Sequence, residues 1–350
     1  MWNKVRFAAQ VIMARSFGRR VPLCVTMHVT PRCNFNCVYC YGGYAEKNKK
    51  EFTLGEIFSL VDELKKRGTR WITLSGGEPL IRKDIDAIVD RIKKKKIICS
   101  INTNGSLIRE KIKTVKKVDF ITVSLDGDEA GNDMNRGRGT YKRIMDGIEC
   151  LRGNKIAFDA VSVLTKSNMH SVDALLDLAE KKGFPVEFNF PQDQNIDQQD
   201  QSPFRIEDIE MRSILTKLME AKKRGRPVHY SAGARRYALS WPVSYKRKVI
   251  YEDIPGFKAA QCYMGRLMCH IDSDGRVYPC TVLAGKFPAL NFLEEGFGKS
   301  WDNLRDKKKC KACYAVCYAE FNRFFALAPG TWFNNIKETV KTVRIKKNLC

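Results

Sequence analysis

No apolar run in this sequence approaches the ~20 residues that a membrane-spanning helix needs. No usable signal peptide opens it. The apolar stretch around Phe7–Ala14 is short, contains Gln10, and runs into Arg15, Arg19 and Arg20. Acidic residues are scarce: 39 against 62 lysines and arginines, a formal charge of +23. That excess disfavours a neutral metabolic surface. It favours anionic partners, whether phosphate-bearing substrates, nucleic acid or a membrane face, with plain solubility as the simple alternative. There is no solenoid-type repeat and no separate nucleic-acid module. The aromatic residues are not interleaved with the basic ones as a stacking surface requires, so the nucleic-acid signal is weak.

Core material is plentiful. Of 350 residues, 44% are hydrophobic and 29% charged, which excludes disorder of the whole chain and suits one large or two smaller domains. With no export signal the cytoplasm is the expected compartment. Thirteen cysteines there point to metal or redox chemistry rather than disulfides, and an odd number cannot pair completely. Their placement is uneven. Cys33, Cys37 and Cys40 lie together, and Cys262, Cys269, Cys280, Cys310, Cys313 and Cys317 fall late. Cys24, Cys99 and Cys150 sit in apolar surroundings and read as small buried hydrophobes.

Residues 1–21 read as a basic, moderately amphipathic helix. Trp2, Val5, Ala9, Ile12, Met13 and Phe17 share one side, and Phe7 and Val11 fall off that stripe. It either caps the domain or lies on a membrane surface. An α/β rhythm follows. Strands are expected at Pro22–Val29, Trp71–Leu74, Ile97–Ile101, Phe120–Leu125, Ala157–Leu164 and Val186–Phe190. Helices are expected at Thr53–Arg67, Lys83–Lys95, Ile108–Val115, Tyr141–Arg152, Ser171–Lys181 and Ile206–Arg224, the first opening on a Thr53/Glu56 capping box. Six alternating units imply a parallel sheet, two short of a closed eight-fold barrel. The Gln-rich 191–204 stretch reads as a loop or lid, 236–261 as a linker and 321–350 as a basic tail.

Cys33-x3-Cys37-x2-Cys40 comes directly after the first strand, on the rim where α/β folds build their sites. Three thiolates on a short loop can hold three irons of a cubane cluster and leave the fourth open. A structural zinc would want a fourth protein ligand. With Tyr39 before the last cysteine, this loop resembles that of the radical S-adenosylmethionine (SAM) superfamily. Ser75-Gly76-Gly77-Glu78-Pro79 after the second strand resembles that family's SAM-amino loop. The segment ending Asn104-Gly105, and Ser124-Leu125-Asp126-Gly127, resemble its third and fourth strand ends. Arg136 stands where relatives place an arginine on the SAM carboxylate, and Arg138 competes for the role. The resemblance covers about residues 22–190.

It implies a partial (β/α)6 TIM-like barrel, with a radical SAM core at 22–235. Cys33, Cys37 and Cys40 would hold a [4Fe–4S] cluster. Tyr39, Ser75, Gly76, Gly77, Glu78, Asn104, Ser124 and Arg136 would bind SAM. It also implies reductive cleavage of SAM to a 5′-deoxyadenosyl radical that takes hydrogen from a substrate, and a low-potential electron donor of flavodoxin or ferredoxin type. Cys262-x6-Cys269-x10-Cys280, with Gly275 before the last, resembles the auxiliary-cluster extension called SPASM, or its shorter form twitch, here at 262–320. One auxiliary [4Fe–4S] cluster on Cys262, Cys269, Cys280 and one of Cys310, Cys313 and Cys317 is expected. Zinc on the last three is the alternative, and His270 or Cys350 would serve a second cluster.

Only about 22 residues precede the first strand, too few for the leader-binding domain of many peptide-modifying relatives. The basic N-terminal helix and the charge of +23 instead favour a membrane-associated lipid or isoprenoid, met at the inner membrane face. A peptide- or protein-modifying maturase and a non-catalytic iron–sulfur carrier are the alternatives.

Overall fold

The structure, a computed structural model, describes residues 2–42, 51–191, 204–305 and 310–348. Most of the Gln-rich stretch and Cys350 lie outside the described residues. In chain order the main elements are α1 (Trp2–Ser16), β1 (Cys24–His28), α2 (Leu54–Lys66), β2 (Trp71–Ser75), α3 (Ile85–Lys94), β3 (Ile98–Thr103), α4 (Ile112–Val115), β4 (Phe120–Ser124), α5 (Glu129–Arg136) and α6 (Thr140–Gly153). They continue with β5 (Asp159–Val163), α7 (Val172–Lys182), β6 (Val186–Asn189), α8 (Asp208–Lys223), α9 (Ala232–Leu239), β7 (Val249–Ile250), β8 (Met268–Ile271), β9 (Val277–Tyr278), α10 (Phe292–Asn303), β10 (Ala312–Cys313), α11 (Val316–Phe325) and α12 (Pro329–Asn348).

Eight strands form one sheet in the order β6-β5-β4-β3-β2-β1-β8-β9, and β7 and β10 form a separate antiparallel pair. The large sheet is mostly parallel, with the β8–β9 hairpin as its antiparallel exception. It is not closed, as a partial barrel requires. By contacts the chain divides into two units. One comprises Met1–Asn36, Gly42–Thr122 and Tyr263–Lys308, the other Cys37–Tyr41, Val123–Cys262 and Lys309–Cys350.

In the first unit the amphipathic helices supply the core. α2 buries Ile57, Leu60, Val61 and Leu64, and α3 buries Ile85, Ile88, Val89 and Ile92. Each is the i, i+3, i+4, i+7 stripe of a helix laid on a sheet, worth about 1.5–3 kcal/mol per fully buried side chain. α2 opens on the Thr53/Glu56 capping box. α1 reverses the expected stripe. Phe7, Val11 and Ala14 are buried, while Val5, Ile12, Met13 and Phe17 are exposed. Phe7 sets its ring edge-on to Trp71 at 5.5 Å, and Trp71 stacks on Phe120 at 4.8 Å. Aromatic side chains at the entry of β2 and β4 thus select the inward face of α1.

All six expected strands form, and β8 and β9 extend the sheet beyond β1. β8 runs parallel to β1, pairing Val25 with Cys269 and Thr26 with His270. The hairpin assigned to the cysteine-rich extension is therefore part of the main sheet. Arg20 helps hold it, donating to Gly265 O at 3.0 Å and meeting Asp302 at 3.1 Å.

In the second unit, α5, α9, α11 and α12 were not anticipated; α12 lies in the expected tail and α11 runs across its start. The 236–261 stretch carries buried Trp241 and Tyr245, whose rings meet Tyr314 at 5.4 and 5.1 Å. It belongs to a packed core rather than to a linker. The expected helix from Ile108 shrinks to the four residues of α4.

Candidate active site

The first unit lays two loops backbone to backbone. Gly77 N donates to Thr30 O at 2.9 Å and Glu78 N to Arg32 O at 2.8 Å. A Cβ on Gly76 would stand 2.4 Å from Thr30 O, and one on Gly77 would stand 2.2 Å from Arg32 O. Gly76 also has φ +135°, a conformation open to glycine. The two glycines therefore permit the close approach of the Gly-Gly loop to the cysteine loop itself. Arg82, unnoticed in the sequence, is buried and donates to Val29 O at 2.8 Å and Phe52 O at 3.0 Å, locking the exit of β1.

Glu78 is fully buried. Its Oε1 accepts from Leu80 N at 2.9 Å and Thr103 Oγ1 at 2.8 Å, and its Oε2 accepts from Asn104 N at 2.7 Å. Burial pushes its carboxyl up to about 7, against the pull of these three donors. The side chain ties the end of β2 to the end of β3. Asn104 Nδ2 donates to Asn34 Oδ1 at 2.8 Å and lies 4.0 Å from Cys33 Sγ. Ser106 closes the loop by donating to Asn104 Oδ1 at 2.7 Å. Ser75 ends β2, in register with His28.

The second unit carries Cys37 and Cys40 in a turn closed by Cys40 N donating to Cys37 O at 3.0 Å. Its organiser is Asp126, from the Ser-Leu-Asp-Gly segment, fully buried. Tyr39 Oη donates to Asp126 Oδ2 at 2.6 Å, Val163 N to Oδ1 at 2.9 Å and Arg136 Nη2 to Oδ1 at 3.0 Å. Arg136 Nε stands 2.8 Å from Oδ2, a charge contact without an aligned N–H bond. Burial alone would lower the Arg136 pKa, but Asp126, Tyr39 and Cys37 raise it, so the guanidinium stays charged. Its Nη1 lies 3.9 Å from Cys37 Sγ. Burial pushes the Tyr39 hydroxyl well above its ordinary range. Ser124 is half-buried at the end of β4, and Arg138 is exposed.

Cys33, Cys37 and Cys40 are part-exposed, whereas Cys24, Cys99 and Cys150 are buried. Two of the three have an N–H donor near sulfur, Asn104 at Cys33 and Arg136 at Cys37. Accessible thiols with such donors suit cluster-bound thiolates. The motif residues therefore fit an iron–sulfur cluster.

The late cysteines separate. In the second unit Tyr237 feels Cys313, Cys262 and Cys310 together, and burial pushes its hydroxyl up to about 12. Burial pushes the Cys317 thiol up to about 11, with Glu187 adding to the effect. In the first unit Cys280 is buried, and Cys269 lies in the middle of β8 with its thiol pushed up by burial. Two polar clusters went unread in the sequence, His28–His270–Asp272 and Asp159–Glu187–His229. Each holds its ligand-type atoms within 4.8 Å of one another.

Residues 27–179 match the radical SAM superfamily. The chain carries a radical SAM domain. AdoMet-dependent heme synthase of Methanosarcina barkeri is 28% identical over 319 residues, covering 85% of this chain and 88% of that one. Mycofactocin maturase MftC of Mycolicibacterium smegmatis is 26% identical over 324 residues, covering 85% and 76%. Among solved structures, anSMEcpe with bound AdoMet superposes with TM-score 0.63 at 18% identity, over 92% of this chain and 98% of that one. Streptococcus suis SuiB bound to S-adenosylmethionine gives 0.64 at 17%, over 85% and 69%. At those identities the structures establish the shared fold. The protein is an enzyme whose cofactors are SAM and a [4Fe–4S] cluster. No helix among its described residues is long and apolar enough to cross a membrane.

Proposed function

We propose that this enzyme cleaves SAM at a [4Fe–4S] cluster held by Cys33, Cys37 and Cys40 and modifies a peptide or protein substrate. The observation that carries the chemistry is the accessible thiol triad, with N–H donors at Cys33 and Cys37. When bound, the cluster and SAM supply a 5′-deoxyadenosyl radical for hydrogen abstraction. The chain's own residues position and protect. Glu78 and Asn104 hold the exits of β2 and β3, and Asp126 with Arg136 holds the Cys37–Cys40 turn. The Glu78 and Asp126 oxygens are occupied internally, so each carboxylate organises its own loop.

The peptide reading is supported by the similarity to a mycofactocin maturase over most of the chain. It takes the place of the lipid or isoprenoid expected from charge. A second reading, a porphyrin substrate, is favoured by the similarity to a heme synthase over 88% of that relative. We assign an auxiliary cluster to Cys262, Cys310 and Cys313, the three that share the surroundings of Tyr237. Cys269, buried inside β8, is the weakest of the six candidates. A flavodoxin- or ferredoxin-type donor suits the basic surface, since such donors are acidic. The reducing cytoplasm suits the thiols.

The test is anaerobic reconstitution, reduction, and measurement of 5′-deoxyadenosine formed from SAM, beside Cys37→Ala. Turnover in the wild type alone is expected, with about eight irons per chain rather than about twelve. A fully loaded enzyme that never cleaves SAM would leave the carrier alternative standing. Perturbation of the Soret band of added iron coproporphyrin would favour the porphyrin. Peptide-stimulated cleavage without that perturbation would favour the maturase.

A further inference from the structure

The face of α1 that points away from the protein is apolar, and a cation-lined cavity opens beside it. Opposite the buried Phe7, Val11 and Ala14 stand Val5, 56% exposed, and Ile12, 46% exposed, with Phe17 at 71% just beyond the helix. Along the flank of α1 runs a cavity of about 310 Å³ lined by Arg6, Lys65, Arg70 and Lys96, with Met13 and Gln10 completing the wall. No acidic residue lines it. Lys65 lies in the last turn of α2, Arg70 precedes β2 and Lys96 precedes β3, so the cavity lies at the strand ends opposite the cysteine loop. Among the described residues no acidic group offsets the charge on Lys65 or Arg70. Burial lowers the Lys65 pKa, and repulsion from Arg70, Arg6, Lys96 and Lys95 lowers it further. Arg70 is lowered in the same way, by burial and Arg6. Packing four positive groups together is unfavourable unless an anion joins them.

We propose that this cavity receives the phosphate of an anionic phospholipid and docks the protein on a bilayer surface, with Val5, Ile12 and Phe17 entering the acyl boundary. A helix lying in the interface puts its apolar face ~5–10 Å below the headgroups and its basic groups at their level. The cavity alone would suit any phosphate. The exposed apolar stripe on the same helix commits the occupant to a lipid, because a free phosphate leaves that stripe in water. Docking at this end leaves the cysteine-loop end of the strands free, so the inference stands apart from the choice of substrate.

The test is co-sedimentation of the reconstituted enzyme with vesicles of phosphatidylcholine, with and without phosphatidylglycerol. Binding only to the anionic vesicles is expected. Ile12→Asp with Phe17→Asp, and separately Lys65→Gln with Lys96→Gln, should each weaken it at least tenfold. Lys142→Gln with Lys181→Gln, on exposed helix faces elsewhere, should change it less than twofold. All variants should cleave SAM in vesicle-free buffer at the wild-type rate. Equal loss from the distant pair would show attraction to net charge alone and overturn the proposal. So would unchanged binding of the Asp variant, or binding of pyrophosphate without binding of vesicles.

Discussion

At the scale of single residues, the site is built on two buried carboxylates that the motifs contain but whose work is internal. Glu78 and Asp126 are both fully buried, and each gathers backbone and side-chain donors from other segments of the chain. Glu78 leaves a signature in pH. Its carboxyl goes from an ordinary 4.5 to about 7 on folding. Between those values the native state binds more protons than the unfolded one, so this group makes stability fall as pH rises through the window and level off above it. The change is on the order of 3 kcal/mol. Urea unfolding across that range should show the decline in the wild type and a flatter curve in Glu78→Gln. Equal slopes in both proteins would contradict the assignment.

At the scale of elements, α1 and β8 carry the lesson. The periodicity of α1 separates an apolar stripe from its neighbours, yet the buried set is the narrower Phe7–Val11–Ala14. What decides is the partner: Trp71 and Phe120 offer an aromatic surface that Phe7 completes edge-on. Phe7→Ala should therefore cost about 3–5 kcal/mol. Val5→Ala, on the exposed face, should stay within about 0.5 kcal/mol. Thermal melts of the two variants check this, and equal shifts would mean that α1 sits differently. β8 was hidden for a related reason. Four residues beside a Gly-containing turn carry too little pattern to reveal that they pair with β1, more than 240 residues away.

At the scale of the whole molecule, the late cysteines divide between the two units. Cys269 and Cys280 belong to the first unit with β1, and Cys262, Cys310, Cys313 and Cys317 to the second. The chain returns to the sheet at 263–308 and leaves it again, so linear spacing is a poor guide to which thiols meet. With the auxiliary cluster on Cys262, Cys310 and Cys313, Cys313→Ser should lower the iron content by about four per chain. SAM cleavage to 5′-deoxyadenosine should continue at the Cys33 triad. Loss of cleavage with iron intact would place Cys313 elsewhere in the mechanism.

The sequence by itself determined the alternation of strand and helix, the Thr53/Glu56 start of α2, the cysteine triad after β1 and the Gly-Gly-Glu loop after β2. These are local facts, set by periodicity, capping and the few residues that a turn admits. Only the tertiary structure decided which face of α1 turns inward. It also decided that Gly77 yields to Arg32 O, that Tyr39 meets Asp126, and that His28 meets Asp272 at 3.2 Å. Each of those depends on a partner distant in the chain. A local pattern states which residues share a face, and folding alone supplies what that face meets.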